Sequence, residues 1–365
     1  MVGSGLQDQG SADAASRGER PPMPLIDGRS AEALAQAAQA LQAGELVGMP
    51  TETVYGLAAD AGNDAAVARI FAAKGRPTEH PLIVHVDDAG QGIDGAAFFA
   101  RHIPAAARAM MQAFWPGPLT VILPRRAAVG RAAAGGQDSI GLRCPAHPVA
   151  QALLRACRQR GVMGLAAPSA NQFGRISPTT AAHVQGEFGP ELLVLDGGAC
   201  EIGIESTIVD CTRAAPVLLR PGAIAAGRLA QACGQAVRTA GEAGSDGAAP
   251  RASGTLAAHY APRAKLRLMD ARALQAALEL LGADVQPSAG GPVIAVYART
   301  ALRSRSVGVL CRRMPDDAAT TAQQLFAVLR AFDEQGVRLI WVETPPDEPA
   351  WDAVRDRLQR AAAAA

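Results

Sequence analysis

The chain has 365 residues, 49% of them hydrophobic, and a formal net charge of +1. That is material for two domains, or one large one, with an ample core; it excludes a generally basic nucleic-acid binder but leaves room for a local basic cleft. Six scattered cysteines (Cys144, Cys157, Cys200, Cys211, Cys233, Cys311) contain no C-x-x-C pair, which is a poor zinc signature and a poor disulfide framework and suits reduced thiols in a cytoplasmic protein.

The first stretch, MVGSGLQDQGSADAASRGERPP, has no apolar h-region and reads as a disordered tail over 1–22. No run of about eighteen apolar residues suggests a transmembrane helix. A helix is predicted over 30–41, with Ser30 as N-cap and Gly44 as stop. LVGMP reads as a buried strand ended by Pro50, and TETVYGL as the segment leaving it. Residues 63–74 carry Val67, Ile70 and Phe71 on one helical face. PLIVHV, GPLTVILP and SIGLRCP read as strands, HPVAQALLRACRQRG as a helix, and GLAAPSAN as a strand running into a loop. SPTTAAHVQGEF opens a helix with Ser177 as N-cap and Pro178 at its first position. ELLVLDGG, STIVDC and PVLLRPG complete an interleaved α/β layout.

Residues 225–264 shift to Ala, Gly, Ser and Arg without periodicity and read as a linker, with GEAGSDGAAPRASGT its clearest part. A second, smaller α/β pattern follows: strands at KLRLM, PVIAVYA, SVGVLC and VRLIWVE, helices at ARALQAALELLG and AATTAQQLFAVLRAFDEQG, and a closing helix from Trp351. The division expected is a tail 1–22, a first domain 23–224, a linker or lid 225–264 and a C-terminal domain 265–365.

Four polar clusters fall at strand ends of the first domain, where α/β sheets place ligands: PTETVYG, KGRPTEHPLIVHV, APSANQFGRISPTT, and GIESTIVD with LLRPG. Each has a bland reading. Lys74 and Arg76 suit a solvated helix end. Ser177 suits a cap, and Ser169 and Asn171 suit turns. His85 suits an apolar core. Arg143, in the middle of an apolar strand, needs a partner if it is buried. Together, Lys74, Arg76, Arg143 and Arg220 with hydroxyl and amide donors are an inventory for a polyanion and a small zwitterion. Neither G-x-x-x-x-G-K-[ST] nor G-x-G-x-x-G occurs, so this is not an ordinary P-loop or Rossmann site.

Seven segments in order, PTETVYGLAAD, KGRPTEHPLIVHV, WPGPLTVIL, GLRCPAHPVA, APSANQFGRISPTT, LDGG with GIESTIVD, and LLRPG, resemble the YrdC-like domain of the L-threonylcarbamoyladenylate synthase family. HYAPRAKL and the second α/β pattern resemble that family's two-domain form. The resemblance implies a YrdC-like twisted mixed sheet with flanking helices, plus a smaller Rossmann-like C-terminal domain. It implies a nucleotidyltransferase that joins L-threonine, bicarbonate or carbon dioxide, and ATP, releasing pyrophosphate, for modification of tRNA next to the anticodon. It places Thr53, His85, Arg143, Ala167 and Ser206 around threonine. It places Lys74, Arg76, His80, Ser139, Ser169, Ser177, Arg220 and Tyr260 around ATP, with magnesium arriving on the nucleotide and no metal held by the protein itself. Threonylcarbamoyl-transfer proteins are implied as partners, with room for a weak contact to tRNA. His80 stands where the family often has asparagine, and ASGTLAAHYAP lacks the Pro-Gly-Met that often precedes the His-Tyr pair. Two other readings share the motifs: an RNA-binding module without catalysis, and a hydrogenase-type carbamoyltransferase, which would need paired C-x-x-C segments and an acylphosphatase-like domain that this sequence lacks.

Overall fold

The computed structural model describes residues 25–242, 250–283 and 292–364; the tail read over 1–22 and part of the glycine-rich stretch lie outside them. In chain order the first unit is β1 (Leu25–Asp27), α1 (Ala31–Gln42), β2 (Val47–Met49), β3 (Gly56–Asp60), α2 (Asp64–Lys74), β4 (Ile83–His85), α3 (Ile93–Phe99), α4 (Ala105–Phe114), β5 (Leu119–Pro124), β6 (Ser139–Arg143), α5 (Pro148–Gln159), β7 (Leu165–Ala166), α6 (Ala181–Phe188), β8 (Leu193–Asp196), β9 (Thr207–Asp210), β10 (Val217–Arg220), α7 (Ala226–Cys233) and β11 (Arg238–Thr239). Among the described residues its strands form one mixed sheet in the order β1-β8-β2-β3-β7-β4-β6-β5-β9-β10-β11.

Alternation along the strands assigns the two faces. In β3, Leu57 and Ala59 join a cluster with Val67, Ile70, Phe99, Met110 and Leu229, whereas Ala58 joins Ala37, Leu41, Leu153 and Leu154. Helices α1 and α5 therefore cover one face, and α2, α3, α4 and α7 the other.

The second unit is β12 (Lys265–Met269), α8 (Ala271–Leu281), β13 (Ile294–Ala298), β14 (Val309–Arg313), α9 (Ala318–Glu334), β15 (Leu339–Glu343) and α10 (Asp352–Ala362). Its all-parallel sheet has the order β12-β15-β13-β14. Ile294, Val296 and Ala298 face α8, and Ala295 and Tyr297 face α9 and α10, which is the layered α/β arrangement expected from the sequence.

The two units share a core. Val54, Ile176 and Ile204 of the first pack with Tyr260 and with Phe326, Val354 and Leu358 of the second. Polar ties reinforce it: Arg330 of α9 pairs with Glu187 of α6 at 2.8 Å and donates to the Ile176 carbonyl, and Arg357 of α10 pairs with Glu205 at 2.9 Å.

Two local expectations need correction. Ser177 is no N-cap: α6 starts at Ala181, and Thr180 caps it by accepting from the His183 amide. The Ser177 hydroxyl instead donates to Glu205. Within 225–264 lie α7 and β11, which the composition concealed. Arg228 of α7 stacks over Phe114 at 5.3 Å, and β11 pairs with β10, so both extend the first sheet's layers.

Candidate active site

The site lies where β4, β6 and β10 end, where β9 begins, and beside the residue that follows β7. β4 and β6 run parallel with His85 opposite Arg143, so one register carries both side chains to the same sheet end. Ala167 follows β7, Ser206 precedes β9, and Arg220 ends β10. Thr53 arrives on the β2–β3 loop. There the Thr51 hydroxyl accepts from the Thr53 and Val54 amides and donates to the Val54 carbonyl, a hydroxyl-backed turn that explains the TETV composition. Tyr55 of the same corner serves the core, donating to the Gly198 carbonyl at 2.7 Å.

These groups line one cleft together with Thr51, Arg76, Ser169, Glu205, Ser253, Gly254, His259 and Tyr260. All five residues expected around threonine are in its walls, and four of the eight expected around ATP: Arg76, Ser169, Arg220 and Tyr260.

The other four lie nearby, outside the lining of this cleft. Lys74 is 2% exposed, and its ammonium donates to the Ser169 and Asn171 carbonyls; burial and then Arg76 hold its pKa well below the usual lysine value. It braces the Ser169 loop from behind. Ser177 is fully buried on Glu205. Ser139 lines an adjoining hollow with Ile83, Ile122 and Ile208 beneath Arg251–Ser253. His80 lines another with Arg76, Phe173 and His259, its ring edge-on to Phe173 at 5.5 Å.

Arg143 is 3% exposed and has three fixed contacts. It donates to the Thr53 hydroxyl at 2.7 Å and to the Gly117 carbonyl at 3.2 Å, and it meets Glu52 at 2.6 Å. The partner that the buried guanidinium needs is thus Glu52, within the opening loop itself. His85 is buried beside it. Burial first, and Arg143 second, push its pKa down to about 3, so the ring is neutral at pH 7. Ser206 exchanges a 2.7 Å hydroxyl contact with Thr120.

Arg220 donates to the Ser206 carbonyl and hydroxyl and to the Ser253 carbonyl, 2.9 Å away. Ser253 belongs to the segment entering from the linker, which closes over the cleft. Gln137 clamps it, giving its amide to the Arg251 carbonyl at 3.2 Å and accepting from the Arg251 amide at 2.8 Å. Ala261 donates to Gly174 at 2.8 Å. Tyr260 stands at φ 62° and 1% exposure, stacked on Phe326 at 5.6 Å.

A family model described as Telomere recombination matches residues 39–222, and one described as Threonylcarbamoyl-AMP synthase, C-terminal domain, matches residues 224–363. The chain is 35% identical over 326 residues to the threonylcarbamoyl-AMP synthase of Pyrococcus abyssi, spanning 89% of this chain and 92% of that one. The chain belongs to the threonylcarbamoyl-AMP synthase family. The Bacillus subtilis threonylcarbamoyl-AMP synthase is 36% identical over 333 residues, 90% of this chain and 92% of its own length. The solved structure of the P. abyssi protein complexed with L-threonine superposes with a TM-score of 0.79 at 33% identity, covering 91% of this chain and 94% of that one.

Sequence reasoning missed several members of this synthase-family site. Thr120 and Glu205 carried weak signals: a lone polar residue in an apolar strand, and a carboxylate inside the polar cluster GIESTIVD. Arg357 carried a stronger one. It shares the stripe of Val354, Leu358 and Ala361 on α10, and an arginine at a core-facing helical position demands a buried partner.

Proposed function

We propose that this chain forms L-threonylcarbamoyladenylate and pyrophosphate from L-threonine, bicarbonate or carbon dioxide, and ATP. The supporting observation is one cleft lined both by Thr53, His85, Arg143, Ala167 and Ser206 and by Arg76, Ser169, Arg220 and Tyr260, in a member of a family named for this product. Arg143 and Thr53 hold the amino acid's carboxylate. Neutral His85 and the Thr120–Ser206 hydroxyl pair offer uncharged contacts for the rest of the molecule. Arg76 and Arg220 neutralise the triphosphate.

The nucleophile comes from the substrates. Threonine's amine takes up carbon dioxide as a carbamate, a carbamate oxygen attacks the α-phosphorus of ATP, and the bond to pyrophosphate breaks. The protein's part is positioning and charge compensation. A magnesium ion would enter on the nucleotide and neutralise phosphate charge there; Glu205, the carboxylate lining the cleft, is engaged by Arg357. The segment 250–260 keeps water from the mixed anhydride.

The product serves partner proteins that transfer threonylcarbamoyl to tRNA in the cytoplasm. An RNA-binding module has no use for the enclosed hydroxyl-lined wall. The test is pyrophosphate release from ATP by the purified chain. It should require threonine and bicarbonate together; release with either one alone would refute the reading.

A further inference from the structure

Arg357, on the last helix of the C-terminal domain, is among the largest fully buried side chains, at 1% exposure. Its Nε meets Glu205 Oε2 at 2.9 Å, its Nη2 donates to the Glu205 carbonyl at 3.3 Å, and its Nη1 donates to the Pro221 carbonyl and to Asp356 at 2.9 and 2.7 Å. Its guanidinium carbon lies 5.3 Å from the centre of the Tyr260 ring. The other Glu205 oxygen accepts from Ser177. Glu205 lines the cleft beside Arg220, and the two are close enough for Arg220 to help hold the Glu205 carboxyl below its usual range against the upward push of burial. Arg220 nevertheless directs its hydrogen bonds to Ser206 and Ser253.

A carboxylate buried next to a ligand-binding guanidinium is a competitor for it. An unpaired buried carboxylate takes the nearest cation, because its desolvation is otherwise uncompensated. We propose that Arg357 is a positioning residue for the nucleotide: by saturating Glu205 from the C-terminal domain, it keeps Arg220 on Ser206 and Ser253, in the cleft wall where it meets phosphate. This rests on the synthase reading above and deepens it. The second domain is then part of the active site of the first, through one side chain that never touches substrate.

The experiment is calorimetric titration of the full-length protein with a non-hydrolysable ATP analogue and, separately, with threonine. In Arg357→Gln, Glu205 captures Arg220, so analogue binding should weaken roughly tenfold or more, with threonine binding held within about threefold. In Glu205→Gln/Arg357→Gln the competitor is gone, and analogue binding should return to within about threefold of the parent. Unchanged analogue binding in the single variant overturns the proposal, as does a double variant no better than the single. If Arg357→Gln does not fold, the double variant decides alone: folded with near-parental binding supports the proposal, and folded with tenfold weaker binding overturns it. A parent chain that binds no ATP analogue would instead count against the synthase reading, so the two failures are distinct.

Discussion

Arg143 and Glu52 meet at 2.6 Å with side chains 4% and 6% exposed, and the same guanidinium reaches Thr53 at 2.7 Å on its cleft side. Glu52, Thr53 and the Gly117 carbonyl thus hold the arginine still in the cleft wall. Arg143→Ala should raise the threonine requirement far more than the ATP requirement. It should also destabilise the chain by about 3–5 kcal/mol, because Glu52 is left buried and unpaired. Adding Glu52→Gln should restore much of the stability and none of the threonine binding. Steady-state kinetics and denaturant melts on the three variants check this; equal losses for both substrates would mean that Arg143 is only structural.

Substrate choice follows from the hydroxyl-lined wall. Serine lacks only threonine's methyl, a difference worth about 1–3 kcal/mol in an apolar contact. It should turn over poorly but measurably. Valine leaves buried hydroxyls unpaired and should be rejected more strongly. Comparing kcat/KM for threonine, serine and valine tests this, and valine matching serine would remove the hydroxyl-reading role.

Closure of the linker segment depends on Gly254, which sits at φ +73° with no room for a side chain. A Cβ there would lie 2.3 Å from the Tyr260 hydroxyl and 2.8 Å from Arg220. Gly254→Ala should therefore hold the segment open, lowering product yield while threonine still binds. Tyr260→Ala should reproduce part of the defect. A chain cut after Glu242, which retains α7 and β11, should fold and bind threonine but make little product. Full synthesis by all three would reduce the segment to a tether.

Much of this architecture was legible in the sequence. Ser30 caps its helix where a short polar residue precedes apolar periodicity, and the polar loops PTETVYG and APSANQFG bring Thr53 and Ser169 to the cleft. What escaped was long-range. Ser177 looked like a cap because Ser-Pro commonly opens helices, yet a carboxylate 28 positions away takes its hydroxyl. Lys74 looked like a cleft cation because it neighbours Arg76. Gly75, at φ 60°, turns the chain between them, and Lys74 ends behind the Ser169 loop. The Arg357–Glu205 contact spans 152 positions, and no local pattern records it.

Acid should destabilise the fold through buried histidines. Burial, then Arg143, holds His85 at about 3; for His259 burial is again the largest cause, its pKa is also about 3, and Arg76, Lys74 and Arg220 push it the same way while Glu205 opposes. The unfolded chain protonates each below about pH 6.5, and the folded chain does not until far lower. Their contribution is therefore full above about pH 6.5 and is lost as pH falls toward 3, at up to about 1.4 kcal/mol per pH unit for each ring. Denaturant midpoints at pH 7 and pH 5 measure this. His85→Asn should flatten the slope, and a parent midpoint unchanged between the two pH values would contradict the buried neutral state.

The most direct test of the synthase reading is the identity of the product. Incubating the chain with ATP, L-threonine and isotopically labelled bicarbonate, then resolving the nucleotides by mass spectrometry, should give threonylcarbamoyl-AMP that carries the label in its carbamoyl carbon, with one pyrophosphate released per molecule formed. ATP consumption that yields AMP without the labelled adduct, or an adduct without label, would contradict it.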